Sequence, residues 1–165
     1  MTMANSNYKV LFNQGRHWRA KLGFILLPNE LTIETDLFMM KPEGVGLFFS
    51  RGHMPREINV NNLTTMADSL ASSAASILPN ENIDIICYAC TSGSVVVGED
   101  KVIKEINRGA PNTKATTLVT GVIDALNILG IKRIVVGTPY IEEINNIEKD
   151  YLEKKVGYSR TQSPL

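Results

Sequence analysis

Hydrophobic residues in this chain come in short blocks instead of alternating with polar ones. Residues 22–27 (LGFILL), 45–49 (VGLFF), 83–89 (IDIICYA) and 134–137 (IVVG) read as buried strands. Runs that are apolar on both faces suit parallel strands covered on both sides. Helical periods lie between them. Residues 62–78 place Leu63, Met66, Leu70, Ala74 and Ile77 on one face at steps of three and four, with Thr64 or Thr65 as cap and Pro79-Asn80 as the stop. Residues 99–107 give a short helix with Val102, Ile103 and Ile106 apolar and Gly109 as its stop. Residues 120–129 run into Gly130, and residues 141–154 carry a narrow stripe of Ile144, Ile147 and Tyr151. This alternation predicts an α/β fold with a mainly parallel sheet.

Right-handed crossovers would gather the strand C-terminal ends on one edge, where ligands collect. The segments expected there are Pro28-Asn29-Glu30, Ser50-Arg51-Gly52-His53, Cys90-Thr91-Ser92-Gly93-Ser94 and Thr138-Pro139-Tyr140.

Composition narrows the partners. The 165 residues are 44% hydrophobic and 21% charged, with 17 basic and 17 acidic side chains, so no global basic field draws nucleic acid. No run of about 18 apolar residues suggests a membrane span. The first 20 residues lack the apolar core of a signal peptide and read as a poorly ordered lead-in. Two cysteines, Cys87 and Cys90, are too few for a disulfide framework, and a cytoplasmic location is expected. Zinc would need two further ligands, and the only histidines are His17 and His53. Neither the dinucleotide glycine motif nor the P-loop pattern is present.

The chemistry concentrates at Tyr88-Ala89-Cys90-Thr91-Ser92-Gly93-Ser94. A cysteine between a buried strand and a following helix sits among backbone amides, which favour the thiolate. Thr91, Ser92 and Ser94 supply hydroxyl donors, and the loop suits a carboxylate and charge developing on it. Such a thiolate could act as a base on an acidic carbon or as a nucleophile on an activated double bond. Cys87 lies inside the strand and reads as core, so a redox pair is not expected.

The cysteine loop resembles the first cysteine motif of maleate cis-trans isomerases and their aspartate/glutamate racemase relatives. LGFILLPNELTIET resembles that family's first strand and substrate loop, and PNTKATTLVTGVIDALNILGIKRIVVGTPYIEEIN its crossing into a second half. The likeness extends over residues 22–154 and includes an asparagine five residues after the tyrosine of Thr138-Pro139-Tyr140. It implies Rossmann-like or flavodoxin-like layers, with the first of two pseudo-symmetric halves and the beginning of the second. The corresponding divisions are a lead-in at 1–20, a first half at 21–116 carrying the cysteine loop, and an incomplete second half at 117–165.

By this resemblance Cys90 is the catalytic cysteine, and Asn29, Thr91, Ser92 and Tyr140 hold the substrate. The activity implied is that of a cofactor-independent isomerase or racemase acting on a small carboxylic acid, a maleate-like dicarboxylate first among them. No metal is expected; the expected partners are that acid and, where the chain self-associates, further copies of itself. Arylmalonate decarboxylases share the fold and the tyrosine but have glycine in place of Cys90, which disfavours plain decarboxylation. The family's second cysteine has no counterpart after Cys90, so truncation is expected. The alternative is a catalytically incomplete half-length homologue that binds a small acid or a partner chain.

Overall fold

The computed structural model describes residues 11–55, 57–79 and 81–156. The first ten residues of the lead-in, the Asn80 helix stop and residues 157–165 lie outside the described residues. Residues 11–19 carry no helix or strand, yet they touch the sheet: His17 meets Phe48 edge-on, ring centroids 5.3 Å apart.

Four strands form one sheet: β1 (Ala20–Leu26), β2 (Val45–Arg51), β3 (Ile85–Tyr88) and β4 (Lys114–Thr117). Their order is β2-β1-β3-β4, and every pairing is parallel. The helices between and after them are α1 (Ile33–Met40), α2 (Val60–Met66), α3 (Leu70–Ser76), α4 (Thr91–Val97), α5 (Glu99–Gly109), α6 (Leu118–Ile128) and α7 (Glu142–Val156). This is the expected parallel α/β fold. The strand order reverses between β1 and β3, and a crevice opens at such a switch point beyond the strand C-termini.

The first three apolar blocks became β1, β2 and β3. The fourth did not. Residues 132–138 have no helix or strand assignment, and Val135 is 75% exposed, because an extended run becomes a strand only when another strand takes up its amides and carbonyls. The fourth strand is instead Lys-Ala-Thr-Thr, at the edge of the sheet beside β3. Its polar composition suits an edge and gives no apolar run to read. It crosses the expected boundary between residues 116 and 117.

The helix expected over 62–78 exists in two pieces joined by a 3-10 turn at Ala67–Ser69. Its five apolar positions all face the core, with Leu63, Met66 and Leu70 fully buried; each such side chain contributes about 1.5–3 kcal/mol. The cap is Asn59, whose side chain accepts from the amide of Asn62 at 2.9 Å. Thr64 and Thr65 instead donate their hydroxyls to the carbonyls of Val60 and Asn61, and Ser69 donates to Met66. Hydroxyl back-bonding of this kind bends helices.

Gly130 ends the α6 segment at φ 65°, as expected. Gly109 serves a different purpose from a stop. It is the last residue of α5, and a β-carbon there would lie 1.9 Å from the carbonyl oxygen of Ala71. Its missing side chain lets α5 and α3 pack backbone to backbone. The stripe on α7 is Ile144, Glu148 and Leu152, all buried, where Ile144, Ile147 and Tyr151 were expected. Ile147 and Tyr151 are half-buried.

Candidate active site

Three of the four expected site segments follow the C-terminal ends of β1, β2 and β3. The chain leaves β3 through Ala89, whose amide donates to the carbonyl of Ile25 at 2.9 Å, and turns at Cys90 into α4. Cys90 is the N-cap of that helix. Its sulfur accepts the amide of Gly93 at 3.2 Å and lies 3.6 Å from the Ser92 hydroxyl. The Ser94 hydroxyl donates to the Cys90 carbonyl and fixes the turn. A side-chain sulfur thus does what Ser or Asp does at ordinary N-caps.

Tyr88 lies on the inward face of β3, fully buried. Its hydroxyl donates to Met66 Sδ at 3.2 Å and also lies within hydrogen-bonding reach of Cys90. One phenolic proton serves one sulfur at a time. Gly93 makes the arrangement sterically possible, since a β-carbon there would stand 2.2 Å from the Tyr88 hydroxyl. Cys87 alternates to the other face of β3, and burial pushes its thiol up to about 12.

Cys90 is 5% exposed. Burial pushes its thiol up, and hydrogen bonds from Ser92, Gly93 and Tyr88 pull the other way without overcoming it. The loop supplies donors to an anion at this sulfur, and a base that takes the thiol proton would ease its reaction.

Tyr140 reaches this place from the far end of the described chain. Tyr140 lies within hydrogen-bonding reach of Ser92, and α7, which follows Tyr140, packs against α4. Burial raises the Tyr140 phenol; the charges of Cys90, Glu148 and Glu30 add to the rise, and the Ser92 hydrogen bond opposes it. Asn145 braces the Thr138-Pro139-Tyr140 turn, accepting from the Thr138 hydroxyl and donating to the Tyr140 carbonyl at 3.0 Å.

Cys90, Ser92 and Tyr140 therefore come together. Thr91 adjoins them, half-buried, and Asn29 is exposed on the loop after β1. No hydrogen bond among the described residues joins either one to Cys90. That loop is ordered by two groups that the sequence reading placed at the site edge without giving them a role. Glu30 accepts the amides of Leu31, Thr32 and Ile33 at 3.0, 2.8 and 3.2 Å, and the Thr32 amide leads the bonds that hold its carboxyl below the usual range. Arg51 donates to the carbonyls of Leu27 and Glu30, both at 3.0 Å, and to Glu34 at 2.6 Å.

Glu148 was passed over, although a signal existed: it interrupts the apolar positions 144 and 152 at four-residue steps. It is 6% exposed, and desolvation raises its carboxyl. Among the described residues no group of three or more His, Cys, Asp or Glu is placed to hold a metal, and no helix is long and apolar enough to cross a membrane. A groove of about 570 Å³ lined by Ile77, Glu81, Asp84, Asn112 and Lys114 opens at the opposite edge of the sheet, away from Cys90.

The sequence matches the arylmalonate decarboxylase family over residues 22–161. The chain belongs to that family. Its fold is also that of maleate isomerase from Pseudomonas putida S16, at 21% identity and TM-score 0.73, covering 88% of this chain and 64% of that one. The maleate cis-trans isomerase of Nocardia farcinica, solved as a cysteine-to-serine variant with a covalently bound succinylcysteine intermediate, is similar at 18% identity and TM-score 0.69, covering 87% of this chain and 62% of that one. Arylmalonate decarboxylase itself is similar at 18% identity and TM-score 0.68, with 88% and 64% covered. No curated protein matches the sequence. The chain thus spans less than two thirds of these solved structures, and at such identities the likeness is one of fold.

Proposed function

We propose that the chain carries the Cys90 half of a cofactor-independent isomerase or racemase for a small carboxylic acid, with a maleate-like dicarboxylate as the first substrate class. One observation carries this reading. The Cys90 sulfur sits at the switch point of a parallel sheet, already supplied with the Gly93 amide and the Ser92 hydroxyl, while Tyr140 closes over the same loop. The amide and hydroxyls would hold a substrate carboxylate and the negative charge that builds on it. Cys90 would add to the double bond, the adduct would rotate, and the thiolate would leave. Asn29 and Thr91 belong to the proposed substrate-binding set because they lie just after β1 and at the start of α4, at the strand C-terminal edge that holds Cys90. The nucleophilic cysteine of the Nocardia farcinica structure, caught as succinylcysteine, supports this chemistry for the fold.

Proton NMR in heavy water, with maleate and a panel of small amino and hydroxy acids, tests the proposal. Conversion of maleate, or deuterium entry at an α-carbon, is expected with the wild-type chain and lost in folded Cys90→Ala. Turnover surviving in Cys90→Ala would refute the assignment.

A second reading is a half-length homologue that binds an acid or pairs with another chain. It is favoured by the exposure of Ile128, Leu129 and Val135, at 84%, 69% and 75%. No turnover, with binding or self-association of the folded chain, would select it.

A further inference from the structure

We infer that Glu148 is the proton partner of Cys90: it takes the thiol proton when the sulfur attacks and returns it when the sulfur leaves. This inference rests on the reading of Cys90 as nucleophile and assigns the base that reading requires.

Glu148 is only 6% exposed on α7, a helix that packs against α4. Its Oε2 has no hydrogen-bond partner among the described residues. Four residues earlier on the same stripe, Ile144 belongs to the hydrophobic cluster that contains Cys90 and Tyr88. The Glu148 charge reaches Cys90 and Tyr140. A carboxylate with an unsatisfied oxygen in apolar surroundings costs stability. Glu99, by contrast, is also held by α7 but accepts from Thr120, Tyr151 and Lys155.

The step balances within the chain and substrate. The S–H bond of Cys90 breaks and its proton goes through a relaying water to a Glu148 carboxylate oxygen, since no hydrogen bond among the described residues joins the two side chains. A sulfur lone pair forms the C–S bond, and the alkene π pair moves onto the adjoining substrate carboxylate. After rotation that pair re-forms the alkene, the C–S bond breaks, and Glu148 gives the proton back to sulfur. The other titratable groups that bear on Cys90 or Tyr140 are Tyr88, Glu30 and Glu148.

The test follows Cys90 alkylation by iodoacetamide against pH, with Cys87 and Cys90 resolved by peptide mass, in the wild type and in Glu148→Gln. Turnover of maleate is measured in parallel. Removing the negative charge is expected to ease ionisation of the thiol and lower the alkylation midpoint by about half to one pH unit. Turnover is expected to fall roughly a hundredfold even so, because the acceptor is gone. A merely structural Glu148 would give slower turnover with an unmoved midpoint. That outcome, or wild-type turnover in the variant, overturns the inference. If the wild type does not convert maleate, the functional reading fails and the midpoint alone decides: lowered supports the coupling, unmoved overturns it. Should Glu148→Gln not fold, Glu148→Leu is read the same way.

Discussion

Replacing Gly93 with alanine tests the architecture beneath Cys90 most directly. The new β-carbon would stand 2.2 Å from the Tyr88 hydroxyl, 2.9 Å from its ring carbon and 3.0 Å from the Cys90 sulfur. Carbon atoms pack at roughly 3.5 Å or more, so the shortfall at the hydroxyl is roughly 1 Å. Tyr88 is fully buried and cannot swing into solvent, so either its ring or the first turn of α4 has to move. Overpacking of this size costs about 1–3 kcal/mol. Losing the Gly93 amide bond to sulfur adds about 1 kcal/mol, and the better helix propensity of alanine returns less than about 1 kcal/mol. The expected net loss is about 2 kcal/mol, a fall in Tm of about 4–8 °C for a chain of this size. The assay is a double-mutant cycle with Tyr88→Phe, followed by thermal unfolding. Tyr88→Phe alone gives up the bond to Met66 Sδ, about 1 kcal/mol, but it also removes the atom that the new β-carbon would strike. Less destabilisation in the double variant than in the two singles summed, by more than about 1 kcal/mol, is expected. Additive losses would refute the claim that the Tyr88 hydroxyl is what requires glycine at position 93.

Two further outcomes are expected. Arg51→Ala should leave Tm within about 3 °C, because the Arg51–Glu34 pair is partly exposed and such pairs are weak. It should nevertheless speed hydrogen exchange at the amides of Leu31, Thr32 and Ile33 by freeing the Leu27 and Glu30 carbonyls; unchanged exchange would show that Glu30 orders that loop alone. Acid should destabilise the fold through Glu30 and Glu99. Burial opposes ionisation of Glu99, but its bonds from Thr120, Tyr151 and Lys155 outweigh burial and leave its carboxyl below 4.5, as the Thr32 amide does foremost for Glu30. A lowered carboxyl stabilises above the unfolded value and loses that contribution as pH falls through the folded value. Thermal melts from pH 7 downward should therefore decline below about pH 5, and Glu99→Gln should flatten the decline; an unflattened curve would exclude Glu99 as a source.

Much of the molecule follows from the order of residues. Two-sided apolar runs became β1, β2 and β3 because a parallel strand with helices on both faces has no wet side to write into the sequence. The apolar face at positions 63, 66, 70, 74 and 77 became core because its spacing puts those side chains on one side of a helix, even where hydroxyls broke that helix in two. The cysteine loop could be picked out from thiol, hydroxyls and glycine beyond a strand, and Tyr140 from the resemblance of its segment; the fold brings Cys90, Ser92 and Tyr140 together. β4 was not legible: Lys-Ala-Thr-Thr is a strand only because β3 offers it a free edge. Residues 134–137 failed as a strand for the complementary reason, lacking a neighbour to pair with. The tertiary structure also set the surroundings of Cys90: helix-terminal amides favour a thiolate, and burial in a core that includes Tyr88 and Ile144 opposes it. It alone buried Glu148. A glutamate on a helix is ordinarily a solvated side chain, and only the packing of α7 against α4 takes this one out of water.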